Sequence, residues 1–307
     1  MAATKPKISV IVCTYNRTDL LPGCLLALSE QTLSTELFEV VIVDNNSTDN
    51  TQEIVNRVVS SNTNFRIITE SKQGLSHARN RGWQEAVGEF IAYIDDDAKA
   101  EPDWLMQMYS FIKCNSTVEA FGGPYRAFYL KPPPFWFPPE YGNWSLGEVG
   151  RKIETGKEFL SGSNIVFHKD LLASFGGFRT SLGMKGQQIS YGEETRLLLD
   201  IAESQKPVYY VPEMRVSHLV APYKMNLRWL LFSAYANGRC SNETLKLRRA
   251  LTSHIRGLAI GLAKIITNMI APAKGPLKRR LYYALKGLCW EMGAMVESLS
   301  SDDSNPG

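Results

Sequence analysis

Three short runs of branched apolar residues, ISVIVC (8–13), FEVVIVD (38–44) and EFIAYID (89–95), each stop abruptly at a polar cluster. Apolar residues on successive rather than alternate positions suit strands buried on both faces of a sheet. LLPGCLLALSEQ, between the first two runs, has helical spacing, and GLSHARNRGWQEA is another helix candidate. STDNTQEIVNRVV opens with polar residues, among which Asn50 and Glu53 predict a capping-box-like pair. Strand–helix–strand repetition at this pitch predicts βαβ units and an α/β fold: a Rossmann-like, mostly parallel central sheet flanked by helices. With 307 residues and 44% apolar content, the chain suffices for one large domain, or one domain with an appendage.

In sheets of this kind ligands bind beyond the carboxyl ends of the strands. Three polar clusters fall there: Thr14-Tyr15-Asn16-Arg17, Asp44-Asn45-Asn46-Ser47, and Asp95-Asp96-Asp97. Neither GxGxxG nor GxxxxGK[ST] occurs, so the chain carries no dinucleotide fingerprint and no P-loop. The residue types make chemical sense together. The Tyr15 ring can stack on a base, and the Asp44 carboxylate can accept an N–H from a base edge. Arg79 can reach a phosphate. Asp95 and Asp97, alternating along extended backbone, can hold a divalent ion and a ribose hydroxyl, the ion neutralising a diphosphate that carboxylates alone would repel. Each residue singly also has a plain reading, as surface aromatic, helix cap or solvated charge. Their coincidence at the strand ends of one sheet favours function.

Six segments, VIVCTYNR, VVIVDNNSTDNT, GLSHARNRG, YIDDDA, FLSGSNIVFHKDLLASFGGF and YGEETRLLLDI, follow one another over roughly residues 6–220. In order and spacing this set resembles family 2 glycosyltransferases of the GT-A fold. The resemblance implies inverting transfer of a sugar from a nucleotide donor, most simply a UDP-sugar, to an acceptor hydroxyl. It implies nucleobase contacts for Tyr15 and Asp44, with Thr14 and Arg17 beside them, and a donor-binding role for Arg79. Asp95 and Asp97 match the DxD pair, Asp97 being the stronger metal ligand, and Asp96 takes the variable place. Gly162-Ser163-Asn164 match the small-residue turn near sugar and acceptor. Glu193-Glu194 match a Glu-Asp pair whose second carboxylate is the base, although Glu194 is one methylene longer than the usual Asp. His218, 24 residues after Glu194, stands where several relatives place a metal-binding His. A lone His in a strand-like run is otherwise a structural residue. The implied cofactor is Mn²⁺ or Mg²⁺.

YLKPPPFWFPPEYGNW (129–144) is too rich in proline for a regular element, and its rings offer stacking faces. As an acceptor lid, it puts Trp136 on the acceptor side; as a packing loop, it does not. Beyond it the charge changes sign. Residues 1–222 hold 21 Lys and Arg against 26 Asp and Glu, whereas residues 223–307 hold 13 against 5. The division expected is a catalytic domain (1–222), a basic helical extension (223–299) and a disordered tail (300–307). The extension's apolar stripes fit plain packing on the core. They also fit an anionic membrane surface, met through Arg248, Arg249, Lys278, Arg279 and Arg280 beside Trp290. No nucleic-acid module is recognisable.

Five widely spread cysteines with no CxxC pair fit a reducing compartment and exclude a disulfide framework or zinc site. No run reaches the ~18 apolar residues of a spanning helix. The expectation is a cytoplasmic enzyme, peripheral to the inner face of the membrane, acting on a glycan or lipid-linked acceptor. Rival classes fit less well: a nucleotidylyltransferase needs a Gly-rich loop that VIVCTYNR lacks, and a DxDx[TV] phosphatase meets Lys99 where Thr or Val belongs. A non-catalytic scaffold would keep the fold while losing Asp97 or the base.

Overall fold

A computed structural model describes residues 5–154, 156–186, 188–245, 251–270 and 275–302. The strands are β1 (Ile8–Thr14), β2 (Phe38–Asp44), β3 (Phe65–Thr69), β4 (Phe90–Asp95), β5 (Ala98–Ala100) and β6 (Ala120–Gly122). They continue with β7 (Tyr125–Phe128), β8 (Arg151–Lys152), β9 (Ile165–His168), β10 (Val208–Tyr210) and β11 (Val216–Leu219). The helices are α1 (Leu21–Ser29), α2 (Thr51–Ser61), α3 (Leu75–Glu85), α4 (Trp104–Cys114) and α5 (Lys169–Phe175). After them come α6 (Glu193–Glu203), α7 (Leu227–Arg239), α8 (Ser241–Leu245), α9 (Leu251–Ile270) and α10 (Leu277–Asp302).

The main sheet has the order β3-β2-β1-β4-β9-β6-β10-β8. Only β9 and β8 run against the others, so the sheet is mostly parallel, as the branched runs predict. Both faces are covered, and the pleat sorts side chains between them. Ile8, Val10 and Val12 of β1 face Leu25 of α1, Val55 of α2 and Trp104 of α4. Ile11 of β1, with Val41 and Val43 of β2, faces Ala78 of α3, Leu171 of α5 and Leu198 of α6. Each such side chain, fully buried, contributes about 1.5–3 kcal/mol. A second, three-stranded sheet, β5-β11-β7, sets His218 of β11 opposite Ala98, one residue past Asp97.

The chain divides into two compact units. One takes the chain up to Phe128, with Gly142–Ser181 and Glu193–Leu219. The other takes Tyr129–Tyr141, Leu182–Gly192 and the chain from Val220 onward. Two inserted segments therefore belong with the C-terminal helices, an interleaving that a single boundary at residue 222 misses. In the second unit α10 packs against α7 and α9. Glycines at the α7–α10 crossing let the backbones meet: a Cβ on Gly238 would overlap the Trp290 carbonyl, and one on Gly293 the Tyr235 carbonyl.

Three local expectations are corrected. Asn50 makes no side-chain capping bond; Asp49 Oδ1 instead accepts the Thr51 N–H at 3.0 Å, and Glu53 pairs with Arg57. The cap is thus one residue earlier, where an Asx turn is available. Asp96 and Asp97 do not continue an extended strand but form the turn between β4 and β5. Helix α10 runs to Asp302, into the stretch expected as a tail; 303–307 lie outside the described residues, as do Arg248 and Arg249. No described helix is long and apolar enough to cross a membrane.

Candidate active site

The parallel register brings the strand ends together: Thr14 lies opposite Asp44, and Cys13 opposite Asp95. Beyond them the chain turns through left-handed Asn16 (φ 54°) and Asn46 (φ 64°). Asparagine tolerates that region better than most residues. The two turns are laced together: the Asn16 N–H donates to Ser47 Oγ at 3.0 Å, and the Thr48 N–H to Asn16 Oδ1 at 2.8 Å. Asp44 is buried and accepts the Ser47 N–H at 3.0 Å. Asn45, named in the second polar cluster but given no role of its own, donates to the Glu70 and Lys72 carbonyls and accepts the Gly74 N–H. It fixes the start of α3, and with it Arg79. Tyr15 and Arg17 are half-buried at this edge, with Arg17 Nε 3.9 Å from Asp96 Oδ1.

Asp95, Asp97 and His218 form the centre. His218 Nε2 lies 3.2 Å from Asp95 Oδ2 and 3.3 Å from Asp97 Oδ1, and one ligand atom from each residue falls within 4.8 Å of the others. Neighbouring ligands of an octahedral ion with ~2.1 Å bonds are about 3.0 Å apart, so two carboxylates and an imidazole at this spacing fit Mg²⁺ or Mn²⁺. The neighbouring Asp96 is pushed up to about 7 by burial and then by Asp97, against the pull of Arg17.

Arg79 is buried behind this cluster. Its Nη1 donates to Glu193 Oε1 at 2.7 Å, and its Nη2 lies 3.6 Å from Asp95 Oδ1. Burial lowers its pKa, but Glu193, Asp95 and Glu194 together hold it above the ordinary arginine value. The guanidinium lies over the rings of Phe178 and Tyr93 at 5.3 and 5.9 Å. Gly162 explains its own smallness: a Cβ there would stand 2.5 Å from Arg79 Nη2. Glu193, buried at the start of α6, is pushed up to about 8 by burial and by Glu194, while Arg79 opposes the rise. Glu194 is turned a step round the helix and keeps part of its carboxylate open, 3.9 Å from Arg79 Nη1.

Two expected residues stand differently. Asn164 is fully buried, its amide donating to the Pro124 and Met214 carbonyls and accepting from Trp104 Nε1 at 2.9 Å. It holds the turn that carries Gly162 and the buried Ser163, and its amide nitrogen and oxygen are both engaged. Trp136 belongs to the second unit, 7% exposed, with Phe137 against its edge and Lys278 over its ring at 5.7 Å. Packing has consumed the face that the lid reading needed. The aromatic beside the centre is Tyr125, its ring 5.7 Å from that of His218. Its strand, β7, is too short to show a period in the sequence.

The model of the family described as Glycosyl transferase family 2 matches residues 9–175. The chain belongs to that family. Among curated relatives of this family 2 member is the glucosyl-dolichyl phosphate glucuronosyltransferase of Haloferax volcanii, 30% identical over 243 residues, which are 76% of this chain and 75% of the relative. Two solved structures share the fold. One is S. aureus TarS 1–349 in complex with UDP-GlcNAc (TM-score 0.57, 19% identity, 96% of this chain and 92% of that one). The other is the mannosyltransferase PcManGT of Pyrobaculum calidifontis in complex with GDP-Man and Mn²⁺ (TM-score 0.56, 20% identity, 99% and 76%). The protein is a family 2 glycosyltransferase with a GT-A fold.

Proposed function

We propose that this glycosyltransferase is metal-dependent and inverting, moving a sugar from a nucleoside-diphosphate donor, UDP-sugars first, to a hydroxyl of a glycan or lipid-linked acceptor. The product is a surface polysaccharide or glycolipid made at the cytoplasmic face of the membrane. The observation that carries this reading is the convergence of Asp95, Asp97 and His218 within 4.8 Å, with Arg79 and Glu194 beside them. Those three would hold a divalent ion, which when bound supplies positive charge to the diphosphate. Tyr15 and Asp44 bind the base, and Arg79 fixes Asp95. Glu194 takes the acceptor proton as the acceptor oxygen bonds to the anomeric carbon. The bond from that carbon to the diphosphate breaks on the opposite face, and the nucleoside diphosphate leaves with the electron pair.

The relative from Haloferax volcanii, by its name, acts on a dolichyl-phosphate-linked sugar. A lipid-linked acceptor is supported here by a groove of about 650 Å³ in the second unit, lined by Leu230, Ile260, Tyr282 and Trp290 among others. Its volume lies within the ~300–1,000 Å³ of ordinary ligand sites.

The test is a panel of nucleotide sugars with Mn²⁺ or Mg²⁺, measuring nucleotide release. One donor should be hydrolysed in the presence of metal and spared with chelator. Release that ignores chelator, or none from any donor, would remove the metal-dependent transfer mechanism.

A further inference from the structure

A second cavity, of about 290 Å³, lies in the first unit beside β7 and has no part in donor binding as described above. Tyr125, Trp144, Tyr210, Pro212, Glu148 and Arg215 are among its lining residues. Its aromatic wall is held rigidly. The Trp144 N–H donates to the Tyr125 carbonyl at 2.9 Å and the Tyr125 N–H returns to Trp144 at 3.1 Å, which locks two near-parallel rings (15°) with centroids 6.4 Å apart. Tyr210 meets Trp144 edge-on at 5.8 Å, and its hydroxyl is fixed by Ser145 Oγ at 2.9 Å and the Gly147 carbonyl at 3.0 Å. Ordering this wall on binding therefore costs little further entropy.

The polar side of the cavity is differently made. Arg215 and Glu148 are exposed, and neither makes an ion pair among the described residues. Opposite charges on one wall disfavour an acid or a phosphate, since either would face the wrong partner at one of the two. They suit a neutral ligand rich in hydroxyl groups, which can donate to Glu148 and accept from Arg215. A pyranose has that pattern: a face of C–H bonds that an aromatic ring's negative face attracts, rimmed by hydroxyls. The volume of about 290 Å³, just under the ~300–1,000 Å³ of ordinary ligand cavities, suits a sugar ring better than a nucleoside diphosphate. Tyr125 joins the cavity to the catalytic centre, since the ring that lines it also lies against His218.

We infer that this cavity is a subsite for a neutral pyranose ring of the acceptor, stacked on Trp144 and Tyr125 with its hydroxyls bonded to Arg215 and Glu148. The inference rests on the reading of the chain as a transferase acting on a glycan. It also moves the aromatic acceptor contact from Trp136 to Trp144.

Saturation-transfer NMR on the full chain, with methyl glucoside, galactoside, mannoside and N-acetylglucosaminide as probes, tests it. At least one probe should receive saturation on the C–H protons of one ring face. Its affinity should fall about fivefold or more in Trp144→Ala, the size expected for one lost aromatic contact, and recover in part in Trp144→Phe. Arg215→Ala and Glu148→Ala, both at exposed and unpaired side chains, should weaken the same probe without lowering the thermal midpoint. Failure of every probe to bind overturns the subsite, as does binding indifferent to the Arg215 and Glu148 variants, or displacement of the probe by uridine diphosphate at the same wall. Nucleotide release from the donor panel is read separately. A chain that releases nucleotide yet binds no pyranoside sinks the subsite alone, and one that binds pyranoside without releasing nucleotide sinks the transfer reading alone.

Discussion

Arg79 and its neighbours decide what single residues can do in this site. Its guanidinium bridges toward Glu193 and Asp95 while resting on Gly162, so the three groups hold one another in place. Gly162→Ala should push the guanidinium off Asp95 and lower turnover at least tenfold, a loss of ~1.4 kcal/mol in transition-state stabilisation. Because the strain falls on a side chain and not on backbone, the thermal midpoint should move little; collapse of the fold with the activity would make Gly162 a packing residue only. The adjacent carboxylates are separated by their surroundings. Glu193 is sunk in its pair with Arg79, and Glu194 keeps an open edge. Glu194→Gln should cut single-turnover transfer by about 10²–10⁴-fold while donor affinity stays near the parent value. If Glu193→Gln is the dead variant and Glu194→Gln transfers normally, the base is Glu193. Asp97→Asn should weaken donor binding and erase its dependence on metal in calorimetric titrations run with and without chelator. Binding that ignores both changes would return Asp97 to an ordinary turn residue.

At the scale of elements, what the sequence discloses depends on burial. β1, β2 and β4 are legible because strands covered on both faces need branched apolar residues at nearly every position. β3 escapes notice because Arg66, Ile67 and Ile68 are only half-buried; β5 through β10 are too short to show a period, and of the short strands only β11, around His218, reads as strand-like. Residue types at the strand ends could be read from the chain, but their partners could not: Arg79 and Glu193 are 114 positions apart. The proline-rich segment shows the same limit. Its composition forbids regular structure, and Tyr129–Tyr141 indeed carries no helix or strand, yet nothing local says which ring is buried. Tertiary contacts within the second unit decide it. Arg279, at the start of α10, donates to the carbonyls of Phe135, Trp136 and Phe137 at 2.7–3.1 Å, and the Tyr283 hydroxyl donates to Glu140. Arg279→Ala should therefore open residues 135–137 to limited proteolysis. Arg279→Lys should restore only part of the protection, since an ammonium lacks the planar fork that spans three acceptors. Unchanged cleavage in both variants would show that proline alone holds the segment.

At the scale of the whole molecule, the charge division acquires a physical location. The second unit contains the stretch with 13 basic against 5 acidic residues, and its helices leave apolar side chains uncovered beside cations. On α9, Ile255 and Leu262 are exposed two turns apart, with Arg256 next to the first; on α10, Leu277 is exposed beside Lys278. Apolar groups flanked by cations suit the headgroup region of an anionic bilayer better than open water. Not every cation is available for this. Arg279 is engaged with loop carbonyls, so reversing Lys278, Arg279 and Arg280 together would confuse loss of membrane contact with loss of the loop. Lys278 lies over the Trp136 ring of the same loop, so Arg256→Glu alone avoids that difficulty. The parent should pellet with phosphatidylserine-containing vesicles and be released as salt rises, because surface attraction is screened within about 8–10 Å at physiological ionic strength. Each basic residue near such a surface contributes about 1 kcal/mol, so reversing Arg256 should lower the partition coefficient at least ~5-fold. Neutral vesicles should retain little of the parent. Equal pelleting with neutral lipid, or equal pelleting by the reversed variant, would mean that the exposed apolar residues act without the charges. Absence of pelleting by the parent would confine these helices to packing within their own unit.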